Sequence, residues 1–135
     1  MILGIGTDMA SIARIAETLD QHGDRFVNRC FDPVERARAE EAGRENPGLR
    51  AASYAKRWAA KEACAKALGI GIRDDVYLKD IIVVNDAAGK PSLELRGGAK
   101  DRLTAITPQG KTAGIYISLS DDAGAALAFV VISAV

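Results

Sequence analysis

Apolar and polar positions along this chain follow two different periods, one in each half. Ile2–Thr7 is a short apolar run with two glycines, which predicts a strand leading into a turn at Asp8. Beyond it, Ile12, Ile15, Ala16 and Leu19 recur at helical spacing behind Ser11, a suitable N-cap. This predicts a helix over Ser11–Gln21, ended by His22-Gly23, and a short helical piece over Arg25–Cys30. Asp32-Pro33-Val34-Glu35 combines a capping acid, a proline at the first helical position and a glutamate three residues after the cap. The helix it starts should reach Ala42, with Gly43–Gly48 as a loop. A long helix follows over Leu49–Leu68, and Gly69 suits its C′ position.

The second half alternates. Ile81–Val84 and Ser92–Leu95 read as strands around a hairpin at Asn85–Lys90, and Gly98–Ile106 as a short helix. Gly114–Ser120 and Ala125–Val135 read as strands joined across Asp121-Asp122-Ala123-Gly124. Helices gathered in the first half and antiparallel strands in the second imply an α+β fold. The length, 135 residues, fits a single domain over 1–135, and no linker or repeat interrupts it.

Composition narrows the function classes. Lysine plus arginine balances aspartate plus glutamate at 18 each, so net charge gives no reason to expect nucleic acid or a membrane surface as partner. Cys30 and Cys64 sit in no CxxC or Cys/His cluster, which argues against zinc and for two buried free thiols. No basic n-region precedes the first apolar run and no run is long enough to span a bilayer, so a cytosolic protein is expected.

The long helix carries the first candidate chemistry. At about 100° per residue, Ala51, Ala52, Ala55, Trp58, Ala59 and Ala63 fall on one side, with Glu62 and Lys66 in its middle. Arg50, Arg57 and Lys61 fall on the far side or its flanks, where solvent is expected. The Glu62–Lys66 pair is either an ordinary i,i+4 ion pair or a desolvated pair whose charges a metal and a phosphate would compensate. Asp8 likewise reads as a turn or cap residue or as a carboxylate ligand. Hard divalent ions such as magnesium often take one or two carboxylates and complete their shell with water and substrate phosphates. Arg14, Arg25 and Arg29, in and just beyond the first helix, are either solvated or a surface for an acidic partner.

Gly4-Ile5-Gly6-Thr7-Asp8 and Arg57-Trp58-Ala59-Ala60-Lys61-Glu62-Ala63-Cys64-Ala65-Lys66-Ala67-Leu68-Gly69 together resemble the two signature motifs of the 4′-phosphopantetheinyl transferases, in their small holo-acyl-carrier-protein synthase form. The similarity extends to Arg14, Phe26, Arg29, Glu35 and Gly89-Lys90-Pro91. It implies transfer of 4′-phosphopantetheine from coenzyme A to a serine of apo acyl carrier protein, with release of adenosine 3′,5′-bisphosphate. It implies Asp8 and Glu62 as Mg2+ ligands, and Lys66 as a catalytic lysine that contacts the coenzyme A phosphates. The serine proton would go to Glu62 or to a metal-bound water. The resemblance also implies docking of the acidic carrier on the Arg14 helix, and a homotrimer whose active sites lie at subunit interfaces, Asp8 coming from one subunit and the Glu62 helix from its neighbour.

One position departs from that pattern. Asp121 stands where many members carry a histidine, so no role follows for it, and His22, the only histidine, is expected at the surface. Two rival readings fit less of the sequence. A non-catalytic coenzyme A or carrier-protein binding module would not need Asp8, Glu62 and Lys66 together, and an α+β thioester hydrolase leaves Asp8 and Lys66 without a purpose.

Overall fold

The fold is built around one intimate contact between a strand and a helix. In the computed structural model, which describes residues 1–72 and 76–135, strand β1 (Ile2–Ser11) leads into helix α1 (Ile12–Cys30), followed by α2 (Pro33–Glu45) and α3 (Gly48–Ala67). A one-turn 3-10 segment at Leu78–Asp80 precedes β2 (Ile81–Asn85) and β3 (Pro91–Leu95). Helix α4 (Gly97–Ile106) and the strands β4 (Ala113–Asp122) and β5 (Ala125–Ala134) complete the α+β order. β1, β5 and β4 form an antiparallel sheet with β5 central, and β2 and β3 form a separate hairpin.

β1 turns Gly4, Gly6, Asp8 and Ala10 to one face, the face on which α3 lies. A Cβ at Gly4 would sit 1.9 Å from the Ala67 carbonyl oxygen, and one at Gly6 would sit 1.9 Å from that of Ala63. Two strand residues advance about 6.6 Å and four helix residues about 6 Å. Glycines spaced by two therefore match alanines spaced by four, and backbone meets backbone along the seam.

The helix starts and the hairpins follow the sequence closely. Ser11 accepts the Arg14 N–H. Asp32 and Glu35 form the reciprocal capping box, with Pro33 as the first helical residue. The β4–β5 turn falls on Ala123 and Gly124, both at positive φ. Asp121 and Asp122 belong to β4, paired with Ala126 and Ala125.

The break expected at His22-Gly23 is present: Gly23 is non-helical, with φ 49° and ψ −126°, and separates two helical pieces within α1. Other boundaries differ from the expectation. α2 continues to Glu45 through Gly43, which leaves a two-residue link before α3. β1 does not end at Thr7, because pairing with β5 carries it to Ser11 and places Asp8 within the strand, opposite Ala128.

The solvent-facing side assigned to α3 is the larger correction. Arg57 and Lys61 are buried, Glu62 is half-buried and Lys66 is exposed. α3 is covered on two sides, by β1 and β5 on one and by α2 and β2 on the other, so its far side faces protein. What makes Lys61 tolerable there is full pairing. Its Nζ donates to Glu35 Oε1 at 2.7 Å, to the Leu78 carbonyl at 2.9 Å and to the Ile81 carbonyl. Glu35 in turn accepts the N–H groups of Asp32 and Val83. Burial lowers the pKa of Lys61, and Glu35 opposes that shift.

Both cysteines are free and buried, and burial pushes the Cys64 thiol up to about 12. No helix among the described residues is long and apolar enough to cross a membrane.

Gly6→Ala should cost at least about 2 kcal/mol, since a backbone carbonyl cannot move aside as a side chain would. Equilibrium denaturation in urea checks this. A cost below a few tenths of a kcal/mol would mean that the seam is looser than described.

Candidate active site

The strand–helix seam ends where β1 presents its first side chain to α3. Gly4 and Gly6 have none, so Asp8 is the first polar group beside the helix. Its Oδ1 accepts from Lys66 Nζ at 3.1 Å, and Lys66 also donates to the Thr7 carbonyl at 3.0 Å. Glu62, one helical turn before Lys66, lies close enough to Asp8 for the two charges to interact. Burial first, and then the Asp8 charge, push the Glu62 carboxyl above its ordinary range, while Lys66 partly offsets them.

Asp8, Glu62 and Lys66 thus come together within one chain. The resemblance had implied Asp8 and Glu62 from different subunits. The correction is geometric, because the Gly/Ala seam brings β1 directly onto its own α3.

No group of three or more histidine, cysteine or acidic side chains suited to a metal occurs among the described residues. Two carboxylates whose repulsion is only partly relieved by an exposed lysine are a set of hard oxygen donors. They suit a magnesium-like ion that takes its remaining ligands from water and phosphate. They do not suit zinc, which favours nitrogen and sulfur.

A groove of about 250 Å³ continues from this point between β1, α1 and α3, lined by Met9, Arg14, Thr18, Phe26 and Trp58 among others. The rings of Phe26 and Trp58 are 5.9 Å apart. Past Phe26, a second hollow is lined by His22, Arg25 and Arg29. Arg14, Arg25 and Arg29 are all exposed, on either side of the Gly23 kink, and together form a basic strip leading away from the acidic pair. His22 is also at the surface.

Another hollow, about 350 Å³, lies on the other flank of α3, where Arg38, Ser53, Lys56, Arg57, Asn85 and Leu119 contribute to its lining. Gly89 and Pro91 of the β2–β3 hairpin also border it. Leu119 pairs with Ala128, which pairs with Asp8. Leu119, at the edge of this pocket, is therefore two inter-strand spacings from Asp8, about 10 Å. Reasoning from the helical wheel missed these cations by assigning Arg57 to solvent. The signal available was Gly89-Lys90-Pro91, which the pocket borders.

Residues 4–128 match the 4′-phosphopantetheinyl transferase superfamily, and the chain belongs to that family. Over all 135 residues it is 53% identical to the holo-[acyl-carrier-protein] synthase of Bradyrhizobium sp. (strain BTAi1 / ATCC BAA-1182), covering 96% of that protein. The fold matches the crystal structure of holo-[acyl-carrier-protein] synthase from Neisseria meningitidis with a TM-score of 0.80 at 38% identity, over 98% of this chain and 99% of that one. It matches the Helicobacter pylori holo-[acyl-carrier-protein] synthase in complex with coenzyme A with a TM-score of 0.78 at 30% identity, over 96% and 99% of the two chains.

The raised pKa of Glu62 has a stability consequence. The folded state holds this proton more tightly than the unfolded chain does. The contribution is therefore present at acid pH and lost as pH rises through the raised pKa. Glu62→Gln should raise the melting midpoint at neutral pH by about 2–4 °C in buffer free of divalent ions, and flatten its fall between mildly acidic and neutral pH. Scanning calorimetry checks it; a lower midpoint would mean that the Glu62 carboxylate is stabilising as it stands.

Proposed function

We propose that this protein is a holo-[acyl-carrier-protein] synthase. It transfers 4′-phosphopantetheine from coenzyme A to a serine of apo acyl carrier protein and releases adenosine 3′,5′-bisphosphate, with residues 1–135 acting as one transferase domain. The observation that carries this reading is the joining of Asp8, Glu62 and Lys66 at one half-open seam. A binding module would have no use for that arrangement.

Asp8 and Glu62 would hold Mg2+, which when bound neutralises charge on the pyrophosphate. Lys66 is exposed and, among the described residues, tethered only to Asp8 and a carbonyl, so its ammonium can contact a phosphate oxygen as negative charge grows on the departing bridge. The serine hydroxyl forms the new O–P bond while the pyrophosphate bridge breaks. The serine proton passes to Glu62, directly or across one water, the carboxylate beside the reacting atoms. The groove beyond Met9 has room for the serine-bearing loop. The strip of Arg14, Arg25 and Arg29 suits an acidic carrier, aiding encounter and register. The basic pocket across α3 suits the nucleotide end of the donor.

A homotrimer with active sites at subunit boundaries accords with the bare face of the larger sheet. Ile5, Met9, Tyr116, Leu127 and Phe129 are exposed there, Met9 by 69% and Phe129 by 42%. The β-ladder makes them neighbours: Met9 pairs with Leu127, and Val131 with both Ile5 and Tyr116. A continuous apolar sheet face of this kind marks an interaction surface.

Incubation with apo carrier protein, coenzyme A and magnesium should add the phosphopantetheine mass to the carrier. Asp8→Asn and Glu62→Gln should each lower kcat by at least about a hundredfold, and Arg14→Glu should raise KM for the carrier more than for coenzyme A. An unmodified carrier would overturn the transferase reading. Normal turnover of the two acid variants would overturn the site. In sedimentation velocity the protein should run at three times its 14.3 kDa chain mass. Phe129→Glu should run as a monomer with little transfer activity, and a wild-type monomer would exclude the trimer.

A further inference from the structure

Among the described residues, the pocket across α3 collects three cations and lines itself with no carboxylate. Arg57 is only 6% exposed. Its Nη1 donates to the Ser53 carbonyl and hydroxyl, and its Nη2 donates to Asn85 Oδ1. Its Nε is buried with no partner among the described residues. Neither Arg57 nor Arg38 has a described carboxylate within ion-pair range. A buried guanidinium with no carboxylate in ion-pair range, and only the Lys61-paired Glu35 acting on it from farther off, is costly, and these features together point to an anion that arrives from outside.

Lys56 is different. It stands at the rim, one-third exposed, and its Nζ lies 3.4 Å from Asp121 Oδ1. Asp121 is two residues beyond Leu119 on β4, in the same side-chain phase, so its carboxylate is held beside an anion site. Left alone, it would repel the charge that Arg38 and Arg57 attract. An exposed pair of this kind adds little to stability, so its effect on the local field is the larger consequence.

We propose that Lys56 and Asp121 form a charge-compensating couple at the rim of a phosphomonoester subsite. Lys56 masks Asp121, and the attraction the ligand meets is that of Arg38 and Arg57. This rests on the coenzyme A reading above, which makes the anion the 3′-phosphate of the donor, and it sets apart phosphorylated from dephosphorylated donors.

The couple predicts effects of opposite sign. Lys56→Gln exposes the Asp121 charge and should weaken binding of adenosine 3′,5′-bisphosphate about fivefold; Asp121→Asn frees Lys56 and should tighten it by about the same factor. The double variant should return to within about twofold of wild type, and adenosine 5′-monophosphate should respond less than about twofold throughout. Isothermal titration calorimetry on the full chain reads all of these, and circular dichroism verifies that the variants fold. Weaker binding by Asp121→Asn, or a double variant as weak as Lys56→Gln, would overturn the couple even where wild type transfers at full rate. The reversal of sign and its cancellation would uphold it even if wild type transferred nothing to a carrier.

Discussion

Contact between the bare backbone of β1 and the carbonyl edge of α3 is the constraint on which the rest of this structure depends. It demands glycine at positions 4 and 6 and small side chains at 63 and 67, and it fixes the axial position of the helix against the strand. Once that position is fixed, Asp8 has no freedom over what it meets. The first strand residue with a side chain on the helix face must lie beside the turn that carries Glu62 and Lys66. The acidic pair is thus placed by the absence of side chains before it, and not by hydrogen bonds among its own members.

The same helix uses lysine in two opposite ways. Lys61 is buried, satisfied by a carboxylate and two carbonyls, and ties the start of α2 to the 3-10 segment and β2. Lys66, five residues on, is exposed and weakly held. The first rigidifies the face of α3 away from the sheet, so that the second can be mobile on a helix that is not. Arg57 belongs with the buried side but, among the described residues, keeps one nitrogen unpaired, unlike the fully paired Lys61.

Much of this was legible in the sequence because local chemistry determined it. Ser11, the Asp32/Glu35 box and Gly69 mark helix ends through interactions within a few residues, and the hairpins follow from turn residues between alternating runs. What was misread needed partners distant in sequence. The extension of β1 through Asp8 depends on pairing with residues some 120 positions later. The burial of Lys61 depends on Glu35, whose visible role was the helix cap, a role it also fills. A helical wheel divides a helix into an inside and an outside, and α3 has protein on nearly every side. Asp8, Glu62 and Lys66 were recognisable as a set from motif resemblance, whereas their assembly within one chain required the Gly/Ala seam.

Among the described residues β1 has no strand neighbour except β5, and the Met1 amino group donates to the Ala134 carbonyl, 133 residues away. During synthesis, therefore, α1, α2 and α3 can all emerge while β1 still lacks its hydrogen-bonding partner. Asp8 becomes part of an ordered ladder only when Ala128 arrives opposite it. The candidate site is assembled from the first strand and the third helix, yet the ladder that carries its Asp8 is completed only by the last strand.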